Sequence, residues 1–207
     1  MKKLVFLIAS VFVFSACNNA EKGEQETEKE VAKTETADFT KELPELSIYN
    51  LPSTWTTQNS EEIELEELRG KVLVMVMIYT SCKAACPRLV ADMRNIEKQV
   101  AEEDLDDVRF IMVSIDPETD TPQRLKKFSE DNQMEEDHWM FLRGTPEDTR
   151  EFAAVLAVSY KKISPIDFSH SNIISVFDEE GVLVHQQEGL GVDNTETIEA
   201  IREEVSN

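Results

Sequence analysis

Two cysteines four residues apart, Cys82 and Cys86, are the residues of this 207-residue chain best suited to chemistry. They lie between an apolar run and a segment with helical spacing, so Cys86 is expected to open a helix. Four residues rise only about 6 Å along a helix axis, and positions i and i+4 share one face. The two sulfurs could therefore converge on one metal ion or close a disulfide.

Spacing alone does not choose between these uses of the pair. Amide donors and the dipole at a helix N-terminus favour thiolates, which serve as metal ligands and as nucleophiles. A metal site and a redox-active dithiol both remain open. A structural disulfide is disfavoured, because the pair is the only one in the folded region and cannot cross-link distant segments.

A third ligand would have to come from the three histidines, His138, His170 and His185. We expect surface or structural roles for His138 and His185. His170 directly precedes a predicted strand, where a loop could fold over the sheet edge at which functional sites collect. Two thiolates and one imidazole would form a site of soft ligands that suits Cu(I) and Cu(II), whereas zinc usually requires a fourth ligand. From the residues alone, a packed or capped His170 is equally compatible.

The apolar pattern predicts an α/β domain with a central mixed β-sheet flanked by helices. Residues 72–79 form an apolar run without alternation, which is typical of a strand buried on both faces. Residues 160–171 are expected to be irregular. An N-terminal extension is predicted to contain short strands at 48–49 and 54–57 and a second hairpin strand at 63–65. The predicted strands of the main sheet are 72–79, 108–115, 139–142, 172–177 and 182–185. The predicted helices follow Pro87, Pro122, Pro146 and Asn194.

The N-terminus predicts export and anchoring. Residues 1–3 are charged and residues 4–14 are apolar but too short to span a bilayer comfortably, as in a secretory signal peptide. The sequence before Cys17 resembles a lipobox, with phenylalanine at the position where leucine is usual. We therefore expect a signal peptide at 1–16 and lipidation of Cys17, with ordinary secretion and a free Cys17 thiol as the alternative.

The rest of the chain divides into a tether and one domain. Residues 17–40 hold almost nothing apolar, so they predict a disordered acidic tether, and residues 41–207 suit a single domain. The chain has 42 acidic and 21 basic residues and a formal charge of −21, which argues against nucleic acid as a partner.

Several segments of the chain, taken in order, form a recognisable pattern. They are Leu68–Lys71, Tyr79–Pro87, Ser114–Pro117, Asp120–Pro122, Trp139–Leu142, His170–Ser171 and Asp178–Gly181. Together they resemble the Sco/SenC family of thioredoxin-fold copper proteins. The resemblance implies a thioredoxin-like fold, one copper ion bound by Cys82, Cys86 and His170, and a part in assembling the CuA centre of cytochrome c oxidase. It also implies that Asp116 lies beside the site, and the alternative for Asp116 is an Asx-Pro turn that leads into the next helix.

One departure from the family pattern stands next to the first cysteine. Lys83 and Ala84 follow Cys82 where the family usually has Pro-Asp. A cation at this position is expected to lower the pKa of the Cys82 thiol and to alter partner recognition.

The sequence therefore predicts a lipid-anchored copper chaperone of the bacterial cell envelope. Its client would be the oxidase subunit that carries CuA, or another copper or thiol client. The main alternative is a thiol–disulfide oxidoreductase acting through Cys82 and Cys86, so whether the protein is an enzyme stays open. A peroxidase similar to the peroxiredoxins is a weaker alternative, since no peroxidatic pocket can be identified.

Overall fold

The computed structural model describes residues 42–83 and 85–206, which all belong to one unit of residues 37–207. The predicted signal peptide, Cys17 and the tether lie outside the described residues. Within the described residues, no helix is both long enough and apolar enough to cross a membrane.

A seven-stranded mixed sheet forms the centre of the domain, in the spatial order β2-β1-β5-β4-β3-β8-β9, and β6 and β7 pair separately. The strands are β1 (Thr54–Thr57), β2 (Glu62–Glu64), β3 (Val72–Ile78), β4 (Val108–Ser114), β5 (Trp139–Arg143), β6 (Tyr160–Ser164), β7 (Asp167–His170), β8 (Ile173–Phe177) and β9 (Leu183–Glu188). The helices are α1 (Cys86–Glu97), α2 (Pro122–Asp131), α3 (Pro146–Val155) and α4 (Thr195–Val205).

Strand direction explains where a site can form. The three central strands β3, β4 and β5 run parallel, and every residue of β3 is buried. The loops after these strands therefore meet at one edge of the sheet. Because β8 is antiparallel to β3, with Val76 opposite Ile174, the residues just before β8 arrive at that same edge.

Local capping signals fix the helix starts, as the sequence predicts. The Thr121 side chain accepts a hydrogen bond from the Arg124 amide at the start of α2, and Pro122 occupies the first turn. Thr145 and Asp148 form a reciprocal capping box at the start of α3. Helix α2 packs on β5, and α4 packs on β3, β8 and β9.

The N-terminal extension differs in part from the prediction. The β1–β2 hairpin is present, and β1 joins it to the main sheet through β5. The predicted strand at Ile48–Tyr49 is wrong, because residues 48–50 form a 3-10 turn. The Ser47 hydroxyl accepts from the Tyr49 amide there, and this local bond favours a turn over an extended strand.

The expectation that residues 160–171 are irregular is also wrong. Strands β6 and β7 form an antiparallel hairpin, with Tyr160 opposite His170 and a register shift between Lys162 and Ser164. Most of its side chains are exposed, so the sequence lacks the alternating apolar pattern that predicts a strand.

Candidate metal centre

The loop between β3 and α1 brings the two cysteines together. The Cys82 amide donates to the Tyr79 carbonyl at 3.2 Å, and the Cys86 amide donates to the Cys82 Sγ at 3.2 Å. Helix α1 begins at Cys86, as predicted. An amide at a helix start that points at a sulfur stabilises the thiolate form of that sulfur, so Cys82 lies in a favourable place for a ligand or nucleophile.

The two thiols differ in exposure. Cys82 is partly exposed, whereas Cys86 is 1% exposed. Burial raises the pKa of the Cys86 thiol far above its usual range, and the nearby Cys82 and Asp120 raise it further. The Cys86 thiol donates a weak hydrogen bond to the Tyr79 carbonyl at 3.7 Å. Of the two sulfurs, Cys82 is therefore the accessible one.

His170 is the last residue of β7, and its two ring nitrogens differ in their partners. Its Nδ1 donates to the Ser171 carbonyl at 2.8 Å, which leaves the lone pair on Nε2. Nε2 is buried and has no hydrogen-bond partner among the described residues. Burial also lowers the pKa of His170, although the bond to Ser171 opposes this shift. A neutral imidazole whose second nitrogen is fixed by a backbone carbonyl is the form that binds metals.

Tyr79 lies between the cysteines and the histidine. Its ring is edge-on to the His170 ring, with 5.7 Å between centroids. Among the described residues, the one set of three His, Cys, Asp or Glu ligand atoms within 4.8 Å of one another is that of Glu97, Glu136 and His138. Cys82, Cys86 and His170 thus lie around one tyrosine without their ligand atoms meeting at one point.

The other two histidines have structural partners, as expected. The His138 Nε2 lies 2.7 Å from the Glu97 Oε1, which also accepts from the Trp139 indole at 2.7 Å. The His185 Nε2 lies 3.0 Å from the Thr197 hydroxyl.

Asp116 occupies the loop after β4 and is 3% exposed. Its amide donates to the Ser114 hydroxyl at 3.0 Å, and its carbonyl accepts from the amides of Thr119 and Asp120. Its carboxylate lies 4.0 Å from the Lys162 ammonium of β6. These contacts form a turn and link it to the hairpin, and a role for Asp116 beside the metal site stays a prediction.

Asp120 supports the cysteine loop, a role that the sequence did not reveal. Its fully buried carboxylate accepts from the Thr80 amide at 3.1 Å, the Thr80 hydroxyl at 2.5 Å and the Ser114 hydroxyl at 2.7 Å. Thr80 is two residues before Cys82. The signal lay in the segment Asp120–Pro122, which by itself indicates only a helix start.

The family model for SCO1/SenC matches residues 44–206. The chain belongs to the SCO1/SenC family. The SCO1 protein homolog of Bacillus subtilis (strain 168) is 38% identical over 103 residues, which are 49% of this chain and 53% of the relative. The match to this curated relative therefore spans about half of its length.

Solved structures of Sco proteins share the fold. A SCO1/SenC family lipoprotein from Bacillus anthracis str. Ames is 26% identical, with a TM-score of 0.68 over 74% of this chain and 94% of that one. ScoI from Bradyrhizobium japonicum, solved with copper bound, is 25% identical, with a TM-score of 0.62 over 74% and 98%.

A third solved Sco structure is described in terms of a disulfide switch. BsSco is 28% identical to this chain. It is described as a member of the Sco family of cytochrome c oxidase assembly proteins, and a disulfide switch has been identified in it. Its TM-score is 0.66 over 74% of this chain and 91% of that one. The thioredoxin-like architecture with a central mixed sheet is thereby confirmed.

Proposed function

We propose that this SCO1/SenC protein binds one copper ion through Cys82, Cys86 and His170 and delivers it to the CuA site of cytochrome c oxidase. The observation that carries the proposal is the buried His170 Nε2, which has no partner among the described residues, on a ring that packs against Tyr79 three residues before Cys82. A buried polar atom without a partner is costly and needs an explanation, which a bound metal ion would supply here.

The donor set fits copper better than a harder or larger ion. Two sulfurs and one imidazole nitrogen are soft ligands, which select Cu(I) and accommodate Cu(II). Cys82 is partly exposed, so one ligand can be reached by the ligand atoms of a partner. A site of low coordination number with one accessible ligand suits transfer by ligand exchange.

Two relatives support the proposal that the client is the oxidase. A copper-bound Sco protein and a Sco protein described as a cytochrome c oxidase assembly factor share this chain's fold at 25% and 28% identity. The proposed anchor is a lipid on Cys17, in line with the Bacillus anthracis relative, which is described as a lipoprotein. The proposed location is the extracytoplasmic side of a bacterial membrane.

A second candidate function, thiol–disulfide exchange, is favoured by the unequal exposure of Cys82 and Cys86. The Cys82 thiolate would attack a client disulfide and release one client thiolate. The Cys86 thiolate would then attack the Cys82 sulfur and release the second, leaving a Cys82–Cys86 disulfide. A thiol reductant must supply two electrons before the next cycle.

Copper retention and disulfide exchange measured on the same proteins separate the two functions. Reduced protein is loaded with Cu(I), desalted and assayed for copper, in parallel with reduction of a disulfide-bonded peptide. For the chaperone we expect one copper per chain in the wild type, strong loss in His170→Ala, and little change in peptide reduction by that variant. Loss of copper from the wild type on desalting would contradict the chaperone function.

A further inference from the structure

Tyr79 is the residue that touches both segments carrying the proposed ligands. It directly follows β3 and is 2% exposed. Its ring packs on the rings of His170 and Phe168 of β7, with centroids 5.7 and 5.2 Å away. The ring therefore fills the space between the cysteine loop and the β6–β7 hairpin.

The hydroxyl of Tyr79 makes the connection specific. It donates to the Asp167 carboxylate of β7 and lies 3.3 Å from the Phe168 carbonyl. The Cys82 side chain lies beside the same hydroxyl. A phenol carries one hydrogen, and a carboxylate is the stronger acceptor. The hydroxyl therefore donates to Asp167 and ties the end of β3, three residues before Cys82, to β7.

The other links between the two segments are weaker. The Ser81 hydroxyl lies 3.3 Å from the Ile166 carbonyl in an exposed position. The Lys162 ammonium lies 4.0 Å from the Asp116 carboxylate, and its side chain is 43% exposed. Exposed hydrogen bonds and ion pairs contribute little, whereas a bond to a charged acceptor beside a buried ring contributes more.

We propose that the Tyr79 hydroxyl is a positioning group that keeps the His170 hairpin beside the cysteine loop, where His170 can take part in metal binding. The proposal rests on the proposed function for the identity of the ligands. It concerns the hydroxyl and not the ring, because phenylalanine would keep the packing on His170 and Phe168. It predicts that Tyr79 acts on copper through His170.

A double-mutant cycle for Cu(I) affinity tests this coupling. The variants are Tyr79→Phe, His170→Ala and the double variant, measured by competition with a Cu(I) chelator of known affinity. The matched control is Tyr49→Phe, which removes the hydroxyl of another buried tyrosine that has no hydrogen-bond partner among the described residues. Tyr49 packs near Gly181, at the end of β3 opposite Tyr79.

We expect Tyr79→Phe to weaken Cu(I) binding by roughly tenfold, as removal of a group that orients a ligand does. In the His170→Ala background, Tyr79→Phe should lower the Cu(I) affinity by less than about twofold, which is within the error of additivity. The proposal would be overturned if Tyr79→Phe lowered the Cu(I) affinity equally in the wild-type and His170→Ala backgrounds. It would also be overturned if Tyr49→Phe lowered the affinity as much as Tyr79→Phe does. If the wild type binds no Cu(I), the proposed function fails, and the metal-free measurement below decides the positioning role.

Amide hydrogen exchange on the metal-free protein gives that independent measurement. Tyr79→Phe and Asp167→Asn should both speed exchange of the β6–β7 amides by roughly tenfold, since each removes the same bond to a charged acceptor. Exchange in β4 should stay unchanged. Hairpin exchange at the wild-type rate in both variants would overturn the proposal whether or not copper binds.

Discussion

The two segments that carry the proposed ligands are held in different ways. The cysteine loop rests on the fully buried Asp120, which accepts three hydrogen bonds from Thr80 and Ser114. The His170 hairpin is mostly exposed and forms a two-stranded sheet of its own. Because its hydrogen bonds to the Asp120 carboxylate are buried, we call the cysteine loop the fixed half of the site. Because few of its side chains are buried, we call the His170 hairpin the adjustable half.

This difference accounts for how the two parts of the candidate site are arranged. The Cys86 amide bonds to the Cys82 sulfur and fixes the two cysteines relative to each other. His170 packs on the ring of Tyr79 at the end of the less buried hairpin. A site with one fixed and one adjustable half can take up a metal and release it without unfolding the core.

The largest expected effect comes from removing Asp120. Asp120→Ala would leave the Thr80 amide and hydroxyl and the Ser114 hydroxyl unpaired, which should lower the free energy of unfolding by about 3 kcal/mol. Urea denaturation measures this change. Asp116→Ala is the matched control, because it removes a neighbouring buried aspartate whose carboxylate lies 4.0 Å from a half-exposed lysine. Equal losses in the two variants would show that Asp120 has no special role.

Exchange rates compare the two halves directly. The amides of β3 and β4 should exchange only through global unfolding, because both strands are buried in the middle of the sheet. The amides of β6 and β7 should exchange through local opening, at rates at least about a hundredfold higher. Native-state hydrogen exchange measures both. Similar protection of the two regions would contradict the division into a fixed and an adjustable half.

Acid should weaken the adjustable half through His170. Burial lowers the folded-state pKa of His170, so the unfolded chain takes up a proton first as the pH falls below about 6.5. Stability should therefore decline below that pH, down to the folded-state pKa, and protons should compete with copper for Nε2 only near that lower, folded-state pKa. The free energies of unfolding of the wild type and His170→Ala should therefore differ less at pH 5 than at pH 7.5. Denaturation curves of both proteins across this pH range measure the difference.

The smallest effect should come from the ion pair between the hairpin and the β4–α2 loop. Lys162→Ala removes a half-exposed partner of Asp116, which should change the free energy of unfolding by less than about 0.5 kcal/mol. Thermal unfolding at low and high salt would measure it. A large, salt-sensitive loss would mean that charge, and not the Tyr79 contacts, holds the hairpin.

Local signals allowed much of the fold to be predicted from the sequence. The uninterrupted apolar run of β3 and the capping residues Thr121 and Thr145 act within a few positions, and the structure confirms them. The β6–β7 hairpin was missed because an exposed pair of strands does not need an alternating apolar pattern. The support of Thr80 by Asp120 was missed because it joins residues forty positions apart.

The residues of the candidate site could be proposed from the sequence, but the way in which the structure holds them could not. Cys82, Cys86 and His170 could be singled out from spacing and resemblance, and the structure brings their segments to one edge of the sheet. The place of Tyr79 between them depends on packing of β7 against the end of β3, which no short pattern encodes.

Cu(I) affinity of the wild type, His170→Ala and Cys82→Ser tests the central claim most directly. The account predicts one tightly held copper per wild-type chain, binding at least roughly tenfold weaker in His170→Ala, and loss of retained copper in Cys82→Ser. Circular dichroism should show all three proteins folded. Wild-type affinity in His170→Ala would contradict the account, because the buried Nε2 would then have no part in holding the metal.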